Sequence, residues 1–136
     1  MSQENVELVR RGFDAFNRRG RDARASEAVL APDVVWEVAL GVPGFDGVYR
    51  GRAEVRRFWL TWMADFAELR LEVDEIVDAG GHVFAAVLPT GRGRRSGIEV
   101  TGQMTFPVFT VRDGLIVRYQ LFAEREQALK AAGLRE

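Results

Sequence analysis

The stretch from Glu99 to Glu124 constrains the fold more than any other part of the chain. It reads as two long β-strands joined by the turn Arg112-Asp113-Gly114. The first strand carries Gln103 to Val111 and the second Leu115 to Phe122. Apolar residues fall on both faces of both strands, so a sheet built from them needs a cover on each side. One face is expected to line a pocket and the other to meet a second copy of the chain.

A chain of 136 residues suits one domain, 1–136, long enough to bury about two-thirds of its unfolded surface. Nineteen Lys and Arg stand against twenty Asp and Glu, so no global field draws the protein to nucleic acid or an anionic membrane, and neither partner is expected. The absence of cysteine removes disulfides, thiolate zinc sites and a thiol nucleophile. Met1 to Asn5 is polar and acidic with no apolar segment behind it, unlike a signal peptide, and no apolar run reaches membrane-spanning length. The expected location is the cytoplasm. There is no P-loop, dinucleotide fingerprint or metal-ligand spacing, so no cofactor and no metal is expected.

Along the chain, Val6, Val9, Phe13 and Phe16 recur at helical spacing and predict a first helix capped by Ser2 and ended by Gly20. A second, shorter helix is expected from Asp22 to Leu30, stopped by Pro32. A strand follows over Val34–Leu40, then a loop from Gly41 to Gly51 whose Phe45 and Tyr49 fold over something. A third helix spans Arg52–Phe66, with Val55, Phe58, Trp59, Trp62 and Phe66 on its apolar side. Leu69–Asp78 alternates as a half-buried strand, Ala79–His82 is a turn and Val83–Leu88 is apolar on both faces. Pro89–Gly97, with Arg92, Arg94 and Arg95, is expected to be a soluble hairpin tip. A short helix over Arg125–Ala132, closed by Gly133, ends the pattern. Segregated helices and hairpin-linked strands mean α+β.

Several stretches together carry a resemblance. They are Asn5–Asn17, Ala31-Pro32-Asp33-Val34-Val35-Trp36, Val48-Tyr49-Arg50-Gly51, Leu71-Glu72-Val73 with Asp78-Ala79-Gly80, Val111–Arg118, and Ala128–Leu134. On these the chain resembles the SnoaL-like domain proteins of the NTF2-like superfamily. The resemblance implies a cone-shaped α+β barrel, with a curved, mixed or antiparallel sheet and N-terminal helices packed over its concave face. It also implies a homodimer and a pocket inside the cone. It does not imply one reaction: the superfamily holds isomerases, cyclases, epoxide hydrolases, dehydratases and binding domains. In ketosteroid isomerases a carboxylate base works with a tyrosine and a protonated aspartic acid. By motif those three roles fall on Val38, Phe13 and Pro107, none of which can carry them. SnoaL-like cyclases pair a histidine with an aspartate, and the sole histidine here, His82, falls in a turn.

With Pro107 facing inward, period two puts Gln103, Thr105, Phe109 and Val111 on the same face. Trp36, with Val34 and Val38, and Tyr119, with Val117 and Leu121, join them from neighbouring strands. Phe13, Trp59 and Tyr49 complete the expected ligand pocket, largely apolar and suited to a small hydrophobic molecule. Asp46 and Glu37 are the candidate bases, with Tyr119 or Tyr49 as hydrogen-bond donor; Glu99 is expected at the rim. Two readings follow: a ligand-binding protein, or a cofactor-free isomerase, cyclase, dehydratase or hydrolase, though not a ketosteroid isomerase. A non-catalytic accessory domain is a third. The outer face, with Val100, Met104, Phe106, Val108, Ile116 and Phe122, is expected to form the homodimer.

Overall fold

The computed structural model describes residues 2–19 and 27–134. The elements are α1 (Ser2–Arg19), β1 (Leu30–Ala39), β2 (Gly47–Arg50), α2 (Gly51–Met63), β3 (Phe66–Ala79), β4 (His82–Gly93), β5 (Glu99–Thr101), β6 (Phe106–Arg112), β7 (Leu115–Phe122) and α3 (Arg125–Ala131). The strands form one sheet in the order β2-β1-β7-β6-β4-β3, with β5 paired to β4. Among the described strands only the β1–β7 pair is parallel. The sheet curves without closing, and helices pack on it, a mixed α+β architecture.

Asp113 and Gly114 form the two-residue link between β6 and β7. Both take positive φ, 53° and 75°, as the hairpin turn that matches strand twist requires. The long strand expected to run through Gln103 is in fact two: β5 ends at Thr101 and β6 starts at Phe106. Pro107 accounts for much of this. It has no N–H to donate, and the β4–β6 ladder lapses between Phe84↔Val108 and the isolated bridge Val87↔Thr105.

Four other boundaries differ from expectation. Residues 20–26, most of the expected second helix, lie outside the described residues, and its last residue, Leu30, belongs to β1. That strand absorbs Pro32 in a register shift against β7 between Leu30 and Val35. The Gly41–Gly51 loop contains a strand, β2, paired to β1 through Trp36↔Tyr49. The third helix stops at Met63, and Phe66 opens β3. The Pro89–Gly97 tip is mostly strand, since β4 continues to Gly93 before its turn.

The two faces of the sheet are covered differently. Inside, Leu8, Val9, Phe13 and Phe16 of α1 and Val55, Phe58, Trp59 and Met63 of α2 pack against inward residues of the strands. Outside, Phe84 and Val108 pack against Ala128, Leu129 and Ala132 at α3, flanked by Phe106 and Phe122. Glu75 receives two hydrogen bonds from Arg125, at 2.8 and 3.3 Å, and the Arg125 guanidinium lies 5.1 Å from the centre of the Phe84 ring. That tie fastens α3 to the sheet, and Arg125 as hydrogen-bond partner holds the Glu75 carboxyl below its ordinary range. Gly133, at φ 78°, ends the helix while Leu134 N–H reaches back to Leu129 O at 2.8 Å.

At the free edge of β3 the side chain of Asn17 acts as a short substitute strand. Its amide donates to Leu71 O and accepts from Leu71 N, both at 2.7 Å. Both backbone groups of an edge residue are thereby satisfied, which blocks pairing at that point.

Candidate functional site

Between the inner face and helices α1 and α2 lies a cavity of about 380 Å³. Its wall is an unbroken chain of aromatic rings drawn from five elements. Phe13 of α1 meets Phe109 of β6 edge-on at 5.7 Å, and Phe109 meets Tyr119 of β7 edge-on at 5.2 Å. Tyr119 stacks on Trp36 of β1 at 3.6 Å with planes 11° apart, and Trp36 meets Trp59 of α2 edge-on at 5.4 Å. Rings locked edge-on and stacked brace one another, so the wall does not fold inward to fill the space.

The mouth is formed by the β1–β2 connection. Phe45 packs on Phe58 at 5.0 Å and Trp62 at 5.8 Å, and Leu40 and Val42 border the opening. Asp46 fixes this connection from within. Its carboxylate accepts hydrogen bonds from Leu40 N at 3.0 Å, Gly41 N at 2.7 Å and Val42 N at 3.2 Å. Desolvation by the loop pushes the carboxyl up, but the backbone donors of Gly41, Leu40 and Val42 together outweigh it and hold the group below its ordinary value.

Of the residues expected in the pocket, Phe13, Trp36, Trp59, Gln103, Thr105, Pro107, Phe109 and Tyr119 border the cavity. Tyr49 does not. Its hydroxyl donates to Phe45 O at 2.9 Å and its ring lies 4.7 Å from Phe58, so it props a mouth residue from behind. Neither candidate base borders the cavity. Asp46 is exposed and committed to its own loop, and Glu37 projects from the outer face of β1 into an ion pair with Arg118. Glu99 is exposed in β5. His82 opens β4 rather than sitting in the turn, half-buried, with Nδ1 3.1 Å from Thr110 Oγ1 on the outer face.

Two residues assigned to the outer face, Met104 and Ile116, border the cavity instead. For Ile116 the cause is a bulge. The β6–β7 register runs Thr110↔Arg118 and then Val111↔Ile116, leaving Val117 unpaired. One extra residue turns Ile116 inward while Tyr119 and Leu121 keep their face, and Val117 loses its expected place in the lining. Residues the sequence did not single out for the lining include Val87, Leu71, Phe16 and Pro89. Period two along β4 offered a signal for Val87, because Val83, Ala85 and Val87 share the inner core.

The chemistry of the lining is uniform. Among the described residues it contains no Asp, Glu, His, Lys or Arg. No group of three or more residues able to hold a metal ion is found among them. The Thr105 hydroxyl is already spent on Val87 O at 3.2 Å. The Tyr119 hydroxyl has no hydrogen-bond partner among the described residues, and burial pushes its pKa well above the ordinary phenol range, so it stays protonated. The Trp36 indole N–H, in the same wall, is buried without an acceptor.

Outside the cavity, Arg92 near the end of β4 and Arg94 in the β4–β5 turn have structural partners. Arg94 donates to Ala64 O and Phe66 O, both at 3.0 Å, just beyond the end of α2, and Arg92 pairs with Glu68 at 3.4 Å. No described helix is long and apolar enough to cross a membrane.

The model of the SnoaL-like domain matches residues 9–119. No curated protein matches the chain. Among solved structures, an NTF2-like protein of unknown function from Burkholderia pseudomallei K96243 is similar at 26% identity and TM-score 0.77, covering 93% of this chain and 95% of that one. TerC, co-crystallised with polyporic acid, is similar at 20% identity and TM-score 0.77, covering 96% and 98%. A protein with ketosteroid isomerase-like fold from Catenulispora acidiphila DSM 44928, in complex with trimethylamine, is similar at 16% identity and TM-score 0.73, covering 95% and 94%.

Proposed function

The chain belongs to the SnoaL-like domain family, and from that premise we propose that it binds a small, uncharged, apolar molecule in the cavity without performing acid–base chemistry there. One observation carries this reading: an aromatic cavity of about 380 Å³ with no ionisable side chain in its described lining other than a protonated tyrosine. Pockets of a few hundred Å³ suit drug-sized ligands. A charged ligand entering this one would lose its hydration with no counter-charge to replace it. The alternative, a cofactor-free isomerase, cyclase or hydrolase with Asp46 or Glu37 as base, needs a carboxylate within hydrogen-bond reach of the ligand, directly or through one water. Asp46 is held by three backbone amides and Glu37 by Arg118.

Tryptophan fluorescence offers the test, since Trp36, Trp59 and Trp62 all border the cavity. Titration with fluorene is expected to saturate at one molecule per chain, and fluorene-9-carboxylate to bind at least about tenfold more weakly, a gap near 1.4 kcal/mol. Equal binding of the two would remove the basis for a neutral ligand.

Self-association belongs to the same proposal in altered form. Because α3 covers Phe84 and Val108, the outer surface left for a second copy is the strip beside it, with Val35, Glu37, Thr110, Arg118 and Gln120. Light scattering that gives one subunit mass at micromolar concentration would remove the dimer.

A further inference from the structure

Among the described residues the cavity wall carries one hydroxyl without a hydrogen-bond partner, and its surroundings specify what it takes. Tyr119 is held between Trp36, stacked at 3.6 Å, and Phe109, edge-on at 5.2 Å, so its ring has little freedom to turn away. The residue is half-buried and borders the cavity. The adjacent Trp36 N–H is a donor buried without an acceptor among the described residues. The other hydroxyl in the lining, that of Thr105, already donates to Val87 O, and Gln103 is exposed. The unmet demand in this wall is therefore for an acceptor, and a buried donor left unpaired is costly. A carboxylate would supply acceptor oxygens but also a charge that no described lining residue balances. A carbonyl oxygen supplies two lone pairs and no charge, and a planar ligand fits the flat faces of the aromatic wall.

We propose that Tyr119 is the specificity-determining residue of the cavity, and that the ligand is a neutral, planar ketone or quinone whose carbonyl oxygen accepts the Tyr119 hydroxyl hydrogen bond. This rests on the cavity being a binding site for neutral molecules, as argued above, and adds which functional group that site selects.

The test uses two ligands of nearly the same shape, fluorene and 9-fluorenone, on the wild-type protein and on Tyr119→Phe, which removes the hydroxyl and keeps the stacked ring. Fluorenone is expected to bind wild type about threefold to tenfold more tightly than fluorene, as one net hydrogen bond gives. In Tyr119→Phe the preference for fluorenone over fluorene is expected to vanish. The infrared carbonyl stretch of bound fluorenone is expected at lower frequency in wild type than in Tyr119→Phe, a shift that a purely structural role for the tyrosine does not produce. Equal binding of the two ligands by wild type, or an unchanged preference and carbonyl frequency in the variant, overturns the assignment of Tyr119 while leaving the neutral-ligand reading in place. Failure of wild type to bind either ligand overturns both.

Discussion

The inner and outer faces of β4, β6 and β7 belong to the same three strands, yet they end in opposite states. On the outer face Phe84 and Val108 are fully buried beneath α3, with Phe106 and Phe122 packed alongside. On the inner face Phe109, Ile116, Tyr119 and Leu121 border a space that the chain leaves unfilled. The difference lies in what covers each face. A seven-residue helix with small Ala128 on it and Ala132 at its C-terminal cap settles directly onto the outer face. The cover of the inner face is a frame of bulky aromatics: Phe13 on α1 braces against Phe109, and Phe58, Trp59 and Trp62 on α2 brace against Trp36, Phe45 and one another. A hydrophobic face is thus either closed or hollow according to the shape of its cover.

The largest effect should come from damaging the filled face. Phe84→Ala leaves a void where none exists and is expected to cost about 3–5 kcal/mol in urea denaturation. A cost below about 1 kcal/mol would mean that α3 packs loosely and the contrast between faces is overdrawn.

Adding volume should separate the faces more sharply. Val108→Phe has no space to enter and is expected to destabilise by about 1–3 kcal/mol. Val87→Phe points into the cavity and should change stability by less than about 1 kcal/mol, because volume added to an existing void need not strain its neighbours. It should abolish saturable fluorene binding. Comparable destabilisation by both substitutions would remove the evidence for a hollow inner face.

A smaller effect is expected at the mouth. Asp46→Ala removes three hydrogen bonds from the connection that carries Leu40, Val42 and Phe45, and bound fluorene should leave several-fold faster in stopped-flow dilution. The pH dependence has a definite sign. The folded-state carboxyl lies below its ordinary value of 3.8, so the clamp is complete above pH 3.8 and is lost as pH falls through the lower folded value. Wild type should therefore release ligand faster only in acid, and Asp46→Ala should show no such acid step. The smallest signal is spectroscopic: the difference spectrum between wild type and Tyr119→Phe should contain no phenolate absorbance at pH 10, since burial keeps Tyr119 protonated there.

The sequence exposes the helix and strand periods clearly because each has one apolar stripe or alternating face to reveal. Val9, Phe13 and Phe16 on α1 and Val55, Phe58 and Trp59 on α2 fall inside as their spacing implies. The pairing of Trp36, Phe109 and Tyr119 around one space follows from period two and from family resemblance. The misplacement of Ile116 has a specific cause: a bulge at Val117 shifts register by one residue, and no local composition announces it. The break at Pro107 was chemically legible, because proline cannot donate to a ladder, but apolar residues on both sides masked it. The cover of the outer face was hidden for another reason. A two-faced apolar strand demands a cover without saying whose, and the cover proved to include the chain's own α3. Asp46 combined an ionisable group with a loop ahead of glycine, and the turn chemistry, not acid–base chemistry, describes its contacts.

The most direct test of a hollow, ligand-accepting inner face is the position of a bound hydrocarbon. Intermolecular nuclear Overhauser effects from fluorene to the methyl groups of Val87, Ile116 and Leu121, with none to Val108 or Leu129, are the predicted result. Contacts to Val108 or Leu129, or no contacts at all in a saturated sample, would contradict it.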